Sequence, residues 1–153
     1  MDATERLQAI EDIKQVKARY LRGVDTADGG LVRGILADDC VLDYRGCCTD
    51  LKTGRDFFPA LNMVMEGAGS WPDAGLSAIG VTSVHQGYNP DICVTSDTTA
   101  QAIWSMTDRL FMPPDAEFSL MTGYGFYHET YEKVGSAWKL KTLKITRLKI
   151  DVV

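Results

Sequence analysis

From residue 79 to residue 150 apolar and polar side chains alternate almost without interruption, and this two-residue period most constrains what the chain can fold into. The pattern divides into segments at 79–94, 98–111, 118–133 and 138–150, parted by Thr95-Ser-Asp-Thr98, Pro113-Pro114 and Gly135-Ser136. Four strands of this length joined by short turns make an antiparallel sheet. Such a sheet needs one face covered, and the first half of the chain has the helical period that supplies the cover.

Residues 3–25 carry Leu7, Ile10, Ile13, Val16, Tyr20, Leu21 and Val24 at three- and four-residue steps, with Asp2 and Glu5 spaced as a capping pair. Asp28 then caps a short second helix through Leu31, Val32, Ile35 and Leu36. Residues 40–45 alternate as a strand, and Gly46 to Gly54 turns the chain. Phe57, Phe58, Leu61, Val64 and Met65 predict a further helix over 55–66, with Pro59 tolerated in its first turn. Helices first and antiparallel strands afterwards predict an α+β class: a single domain over 1–153 whose curved antiparallel sheet wraps over N-terminal helices. A chain of 153 residues buries about 68–70% of its unfolded surface, enough for a core and an interior cavity.

Charge narrows the partners. A formal net charge of −5 and a pI near 4.9 argue against electrostatic binding to nucleic acid or an anionic membrane. The basic run 139–149 alternates with apolar residues, as the solvated face of a strand does. No run of 18 apolar residues occurs, and the N-terminal MDATERLQAIEDIK is acidic and helical, so neither a membrane span nor a signal peptide is expected and the expected location is cytoplasmic. Cys40, Cys47, Cys48 and Cys93 lack C-x-x-C spacing and read as free thiols. With no Cys/His cluster and no Gly-rich phosphate loop, neither a metal nor an organic cofactor is expected.

The alternation is broken by chemistry. Asp108 shares the core-facing parity of Ala100, Ala102, Trp104, Met106 and Leu110, where a carboxylate is costly unless hydrogen-bonded or set in a polar cavity. His85 has the parity of Val81 and Ser83, and a hairpin turning at Ser96-Asp97 pairs residues whose numbers sum to 193, which puts His85 opposite Asp108. Pro90 invites a bulge that shifts this register by one residue. On the first helix Tyr20 falls within the apolar arc and Asp25 at its margin, about 140° away. Arg147 shares the parity of Leu143 and Ile145; spacing alone leaves it either a cavity cation or a rung of the basic face, as it leaves Asp25 either a site residue or a solvated helix end.

The segment IEDIKQVKARYLRGVD at 10–25, with its Y-x-x-x-x-D pair, H-x-G-x-x-P-x-I at 85–92, W-x-x-x-D at 104–108 and F-Y-x-x-x-Y-E-K at 126–133 resemble the SnoaL-like branch of the nuclear transport factor 2-like superfamily, which includes scytalone dehydratase and bile acid 7α-dehydratase. The resemblance implies a cone-shaped α+β barrel, or cystatin-like roll. It also implies an active site at Tyr20, Asp25, His85, Asp108 and Arg147, and leaves His128 structural. The implied activity is a cofactor-independent dehydratase acting on a small, hydroxylated, mostly hydrophobic ring compound. His85, oriented by Asp25, is then the base; Tyr20 is an acid or oxyanion donor; Asp108 and Arg147 position polar groups. Trp104, Met106, Phe57 and Met63 are the expected apolar lining, with Met65 beside them. An isomerase of the ketosteroid type and a non-catalytic ligand-binding module are the alternatives. A homo-oligomer is expected, a trimer by resemblance and a dimer otherwise.

Overall fold

The computed structural model describes residues 1–153. Helix α1 spans Ala3–Asp25 behind the capping box of Asp2 and Glu5, and α2 spans Gly29–Ile35, capped by the Asp28 side chain on the Leu31 amide. Six strands follow: β1 Leu36–Asp43, β2 Val64–Glu66, β3 Thr82–Val94, β4 Thr99–Phe111, β5 Leu120–Val134 and β6 Ala137–Val152. They form one sheet in the order β2-β1-β6-β5-β4-β3, antiparallel except where β1 runs parallel to β6. The class is α+β, with a curved, unclosed sheet wrapped against the N-terminal helices. No helix is long and apolar enough to cross a membrane.

The core lies between α1 and the inner face of the sheet. Ala9, Ile13, Val16 and Tyr20 of α1 meet Ala100, Ala102, Trp104 and Met106 of β4 and Tyr127 and Tyr131 of β5. Strand β4 shows the expected alternation over its whole length, Ala100 to Leu110 inward and Thr99 to Phe111 outward. Curvature comes from register breaks: one in β3 between Tyr88 and Asp91, at Pro90, and two between β5 and β6. The break between Tyr124 and Gly125 skips Leu148, so that Arg147 keeps its inward parity while Leu148 stands in solvent.

One expected element is absent. Residues 55–66 form no helix but an Asp56 bridge to Thr49, a 3₁₀ turn at Pro59–Leu61 and then β2. The apolar residues do repeat at helical spacing, but the amides here find other partners: Tyr44 N–H donates to the Met63 carbonyl and Gly67 N–H to Cys40. The open edge of β1 therefore wins over local periodicity, and Pro59 starts only a single turn. Two further 3₁₀ turns, Ala68–Ser70 and Gly75–Ile79, complete a segment that lies across the mouth of the sheet.

Candidate active site

Asp25 is the last residue of α1, and that helix runs along the free edge of β3, the outermost strand of the sheet. An edge strand leaves alternate backbone N–H groups unpaired. Asp25 satisfies one of them: its Oδ2 accepts from the His85 amide at 2.8 Å. Its Oδ1 accepts from Ser83 Oγ at 2.9 Å and lies 2.6 Å from His85 Nδ1. With Nδ1–H donating to the carboxylate, a neutral imidazole has its lone pair on Nε2. No protein group bonds Nε2, and His85 is part of a cavity wall.

Opposite His85 in the β3–β4 register stands Asp108, as the hairpin count predicts. Both Asp108 oxygens accept from Arg147, each at 2.8 Å, in a bidentate pair that is almost wholly buried. Arg147 Nε also donates to the Cys47 carbonyl at 2.6 Å, and Nη1 sits 3.2 Å from Met106 Sδ. Although burial opposes the guanidinium's charge, Asp108 outweighs it and raises the Arg147 pKa. The pair is accommodated because β5 offers Gly123 opposite Asp108: a Cβ there would come within 2.3 Å of both Asp108 Oδ1 and Arg147 Nη1.

Tyr20 is buried, with its hydroxyl 2.7 Å from that of Tyr44. Burial pushes both phenols well above their ordinary pKa, so they remain protonated donors near neutrality. Trp71 and Tyr127 meet the Tyr20 ring edge-on, at centroid separations of 6.0 and 6.3 Å.

Tyr20, His85, Asp108 and Arg147 all line one cavity of about 480 Å³, and Asp25 bonds His85 from behind. Of its 28 lining residues 19 are hydrophobic, which fits an apolar ligand bearing a few polar groups. Met63 and Met65 are on the wall; Trp104, Met106 and Phe57 are not. Trp104 instead donates to Tyr131 within the core at 3.3 Å, Met106 packs under Arg147, and Phe57 turns outward against Phe118 while its neighbour Phe58 faces the cavity. No group of three His, Cys, Asp or Glu side chains converges as a metal site. His128 bonds Thr146 at 2.8 Å, remote from the cavity lining.

Sequence reasoning misses Tyr44, which ends an apparent strand, and the buried pair of Lys17 and Glu129 at 2.5 Å. Glu129 also accepts from Tyr131, and the Lys17 ammonium lies 3.2 Å from the Tyr127 ring centroid. A signal for the pair exists: Lys17 falls in the apolar arc of α1, and Glu129 shares the inward parity of Tyr127 and Tyr131.

The structure is similar to solved proteins across nearly its full length. A hexachlorocyclohexane dehydrochlorinase, LinA type 2, superposes with a TM-score of 0.76 at 17% identity, over 99% of this chain and 93% of that one. A candidate scytalone dehydratase from Novosphingobium aromaticivorans gives 0.77 at 18%, over 98% and 91%. The type 3 LinA from Novosphingobium barchaimii gives 0.76 at 16%, over 99% and 94%. At such identities the likeness establishes the fold, while the family is established by the sequence itself: residues 5–144 match the model of the SnoaL-like domain, and the chain belongs to that family.

Proposed function

We propose that the protein is a cofactor-independent dehydratase that eliminates water from a hydroxylated, largely hydrophobic ring compound, as the resemblance to the bile acid 7α-dehydratase branch implies. The observation that carries this reading is the Asp25–His85 dyad: His85, with Nε2 unbonded, is part of the wall of an apolar cavity that also takes in Arg147, Tyr20 and Tyr44. Names of the similar structures, a dehydrochlorinase and a candidate dehydratase, fit the same class of elimination.

The substrate's carbonyl or conjugated oxygen accepts from the Tyr20 hydroxyl. His85 Nε2 takes the proton from the adjacent carbon, the C–H electron pair passes toward that oxygen, and charge developing there is met by the phenol. When the pair returns, the C–O bond to the leaving hydroxyl breaks and a C=C bond forms. The imidazolium gives its proton to the departing hydroxide, so that water leaves and His85 is again neutral. Asp25 keeps Nδ1 protonated throughout, as a carboxylate does for a triad histidine. Arg147, fixed by Asp108, positions a carbonyl or carboxylate of the substrate.

The ketosteroid isomerase arrangement, with a free Asp base and a protonated Asp donor, fits less well, because Asp25 is spent on His85 and both Asp108 oxygens act as acceptors. Incubation with a panel of β-hydroxy ketones of steroid and tetralone type, followed by mass spectrometry, tests the reading. Loss of one water, abolished in His85→Ala with the circular dichroism spectrum unchanged, is the expected result. A product of unchanged mass means an isomerase, and retained ligand without any product means a binding module.

Assembly is part of the proposal. The outer sheet face exposes Val84, Tyr88, Ile103, Phe111 and Tyr124, each more than a third accessible, which suits contact with further copies of the chain. Light scattering should give the mass of a trimer, or of a dimer, and a monomeric mass rejects this part.

A further inference from the structure

Cys47 and Cys48 are the only buried side chains in the segment between Tyr44 and Gly80, and both line the cavity. Their sulfurs are 3.6 Å apart. Arg147, whose Nε bonds the Cys47 carbonyl, borders the same wall. The hydrogen bond from Cys48, helped by the Arg147 guanidinium, holds the Cys47 thiol below its ordinary pKa, and the same pairing pushes Cys48 up. Neither thiol has a place in the elimination proposed above.

We propose that Cys47 and Cys48 form a peroxide-reactive dithiol whose oxidation to a vicinal disulfide disturbs the anchor of Arg147. The Cys47 thiolate attacks one oxygen of a hydroperoxide, the O–O bond breaks, and the other oxygen leaves as an alcohol or as water. Cys48 sulfur then attacks the resulting sulfenic acid, displacing water and losing its proton. In sum two thiols and ROOH give a disulfide, ROH and H₂O; the sulfurs lose two electrons and the peroxide oxygens gain them. Both residues line the cavity, which in this proposal is the route by which a small oxidant reaches them.

The coupling to the site is covalent. A disulfide between adjacent residues closes a small ring that contains the peptide joining them, and the carbonyl of that peptide is the one that accepts from Arg147 Nε. Closing the ring brings the sulfurs from 3.6 Å to about 2.05 Å, across Cα atoms about 3.8 Å apart, closer than disulfides ordinarily span. Such a strained bond is readily reduced, which suits a reversible modification and not a structural cross-link.

Trypsin releases a peptide of residues 46–52 that contains both cysteines and neither Cys40 nor Cys93. After hydrogen peroxide treatment and alkylation, that peptide should be two hydrogens lighter, unalkylated, and restored by dithiothreitol. In Cys48→Ser, Cys47 should stop at a sulfenic acid that dimedone traps. The wild-type unfolding midpoint should fall on oxidation by about 3–6 °C, recover with dithiothreitol, and show no such reversible fall in Cys48→Ser. If both cysteines stay alkylatable while exposed Cys93 oxidises, or pass directly to sulfinic acid, the modification is refuted. A disulfide that leaves the midpoint unchanged or raises it refutes the coupling to Arg147. No readout uses substrate, so failure here is separable from failure of the dehydration reading.

Discussion

Asp25 occupies a position that a helical wheel leaves at the rim of the apolar arc, and three hydrogen bonds draw it inward. All three come from backbone and side-chain groups of β3 that lie 58 and 60 residues away, so no local pattern announces them. Tyr20, by contrast, is legible in the sequence because its place in the apolar arc is itself the reason it is buried. His85 and Asp108 do pair, but the count from a turn at Ser96-Asp97 is one off beside that turn, where partners from Asp91 to Val94 sum to 194; the break at Pro90 brings the sum to 193 from Tyr88 to Thr82. Asp25→Asn keeps the size of the side chain but replaces one acceptor oxygen by a donor facing His85. The imidazole then loses the partner that fixes its tautomer, so turnover should drop by roughly 10²–10⁴ with KM little changed. Steady-state kinetics on an identified substrate, with the fold checked by circular dichroism, measures it; a drop confined to KM contradicts the orienting role.

At the scale of elements, strand β5 carries much of the design and shows least of it in its sequence. Gly123 and Gly125 read as weak points of a strand, yet Gly123 is where the Asp108–Arg147 pair crosses the sheet. Gly123→Ala should destabilise by at least the roughly 1–3 kcal/mol of an overpacked site, measured by urea denaturation. The helix expected over 55–66 fails for a related reason, since its amides and carbonyls are claimed by β1, which the periodicity of the segment cannot register. Lys17 and Glu129 pin α1 to β5 in the core. Removing one partner strands the other charge, so Lys17→Met should cost about 3–5 kcal/mol and Lys17→Met/Glu129→Gln should recover most of it. Burial lowers the Lys17 pKa from 10.5 to about 8. Between these values the unfolded chain binds more protons than the folded one, so this group makes stability rise with pH. The urea midpoint of the wild type should accordingly climb relative to the double variant from pH 8 to pH 10.5, and a flat difference would show that Lys17 keeps its ordinary pKa.

The whole molecule divides into a rigid half and a thin one. β3 to β6 share long ladders, whereas residues 44–80 hold three short 3₁₀ turns, one three-residue strand and only Cys47 and Cys48 as buried side chains. Few buried contacts and few ladder bonds mean local opening at low free energy. This thin segment supplies Tyr44, Phe58, Leu61, Met63, Trp71 and Leu76 to the cavity, so access to the cavity is set by the part of the fold least tied to the core. Amide hydrogen exchange should therefore be fastest over residues 49–80 and slowest in β4 and β5. A ligand that fills the cavity stabilises the closed form by mass action, about 2.7 kcal/mol at one hundred times its dissociation constant. Added ligand should slow exchange over 49–80 and in the Asp25–His85 contact, while leaving the outer-face rungs of β4 and β5 nearly unchanged. Uniform slowing across the sheet would instead mean that the cavity opens only by global unfolding, and that residues 44–80 act as a fixed wall and not as the entrance.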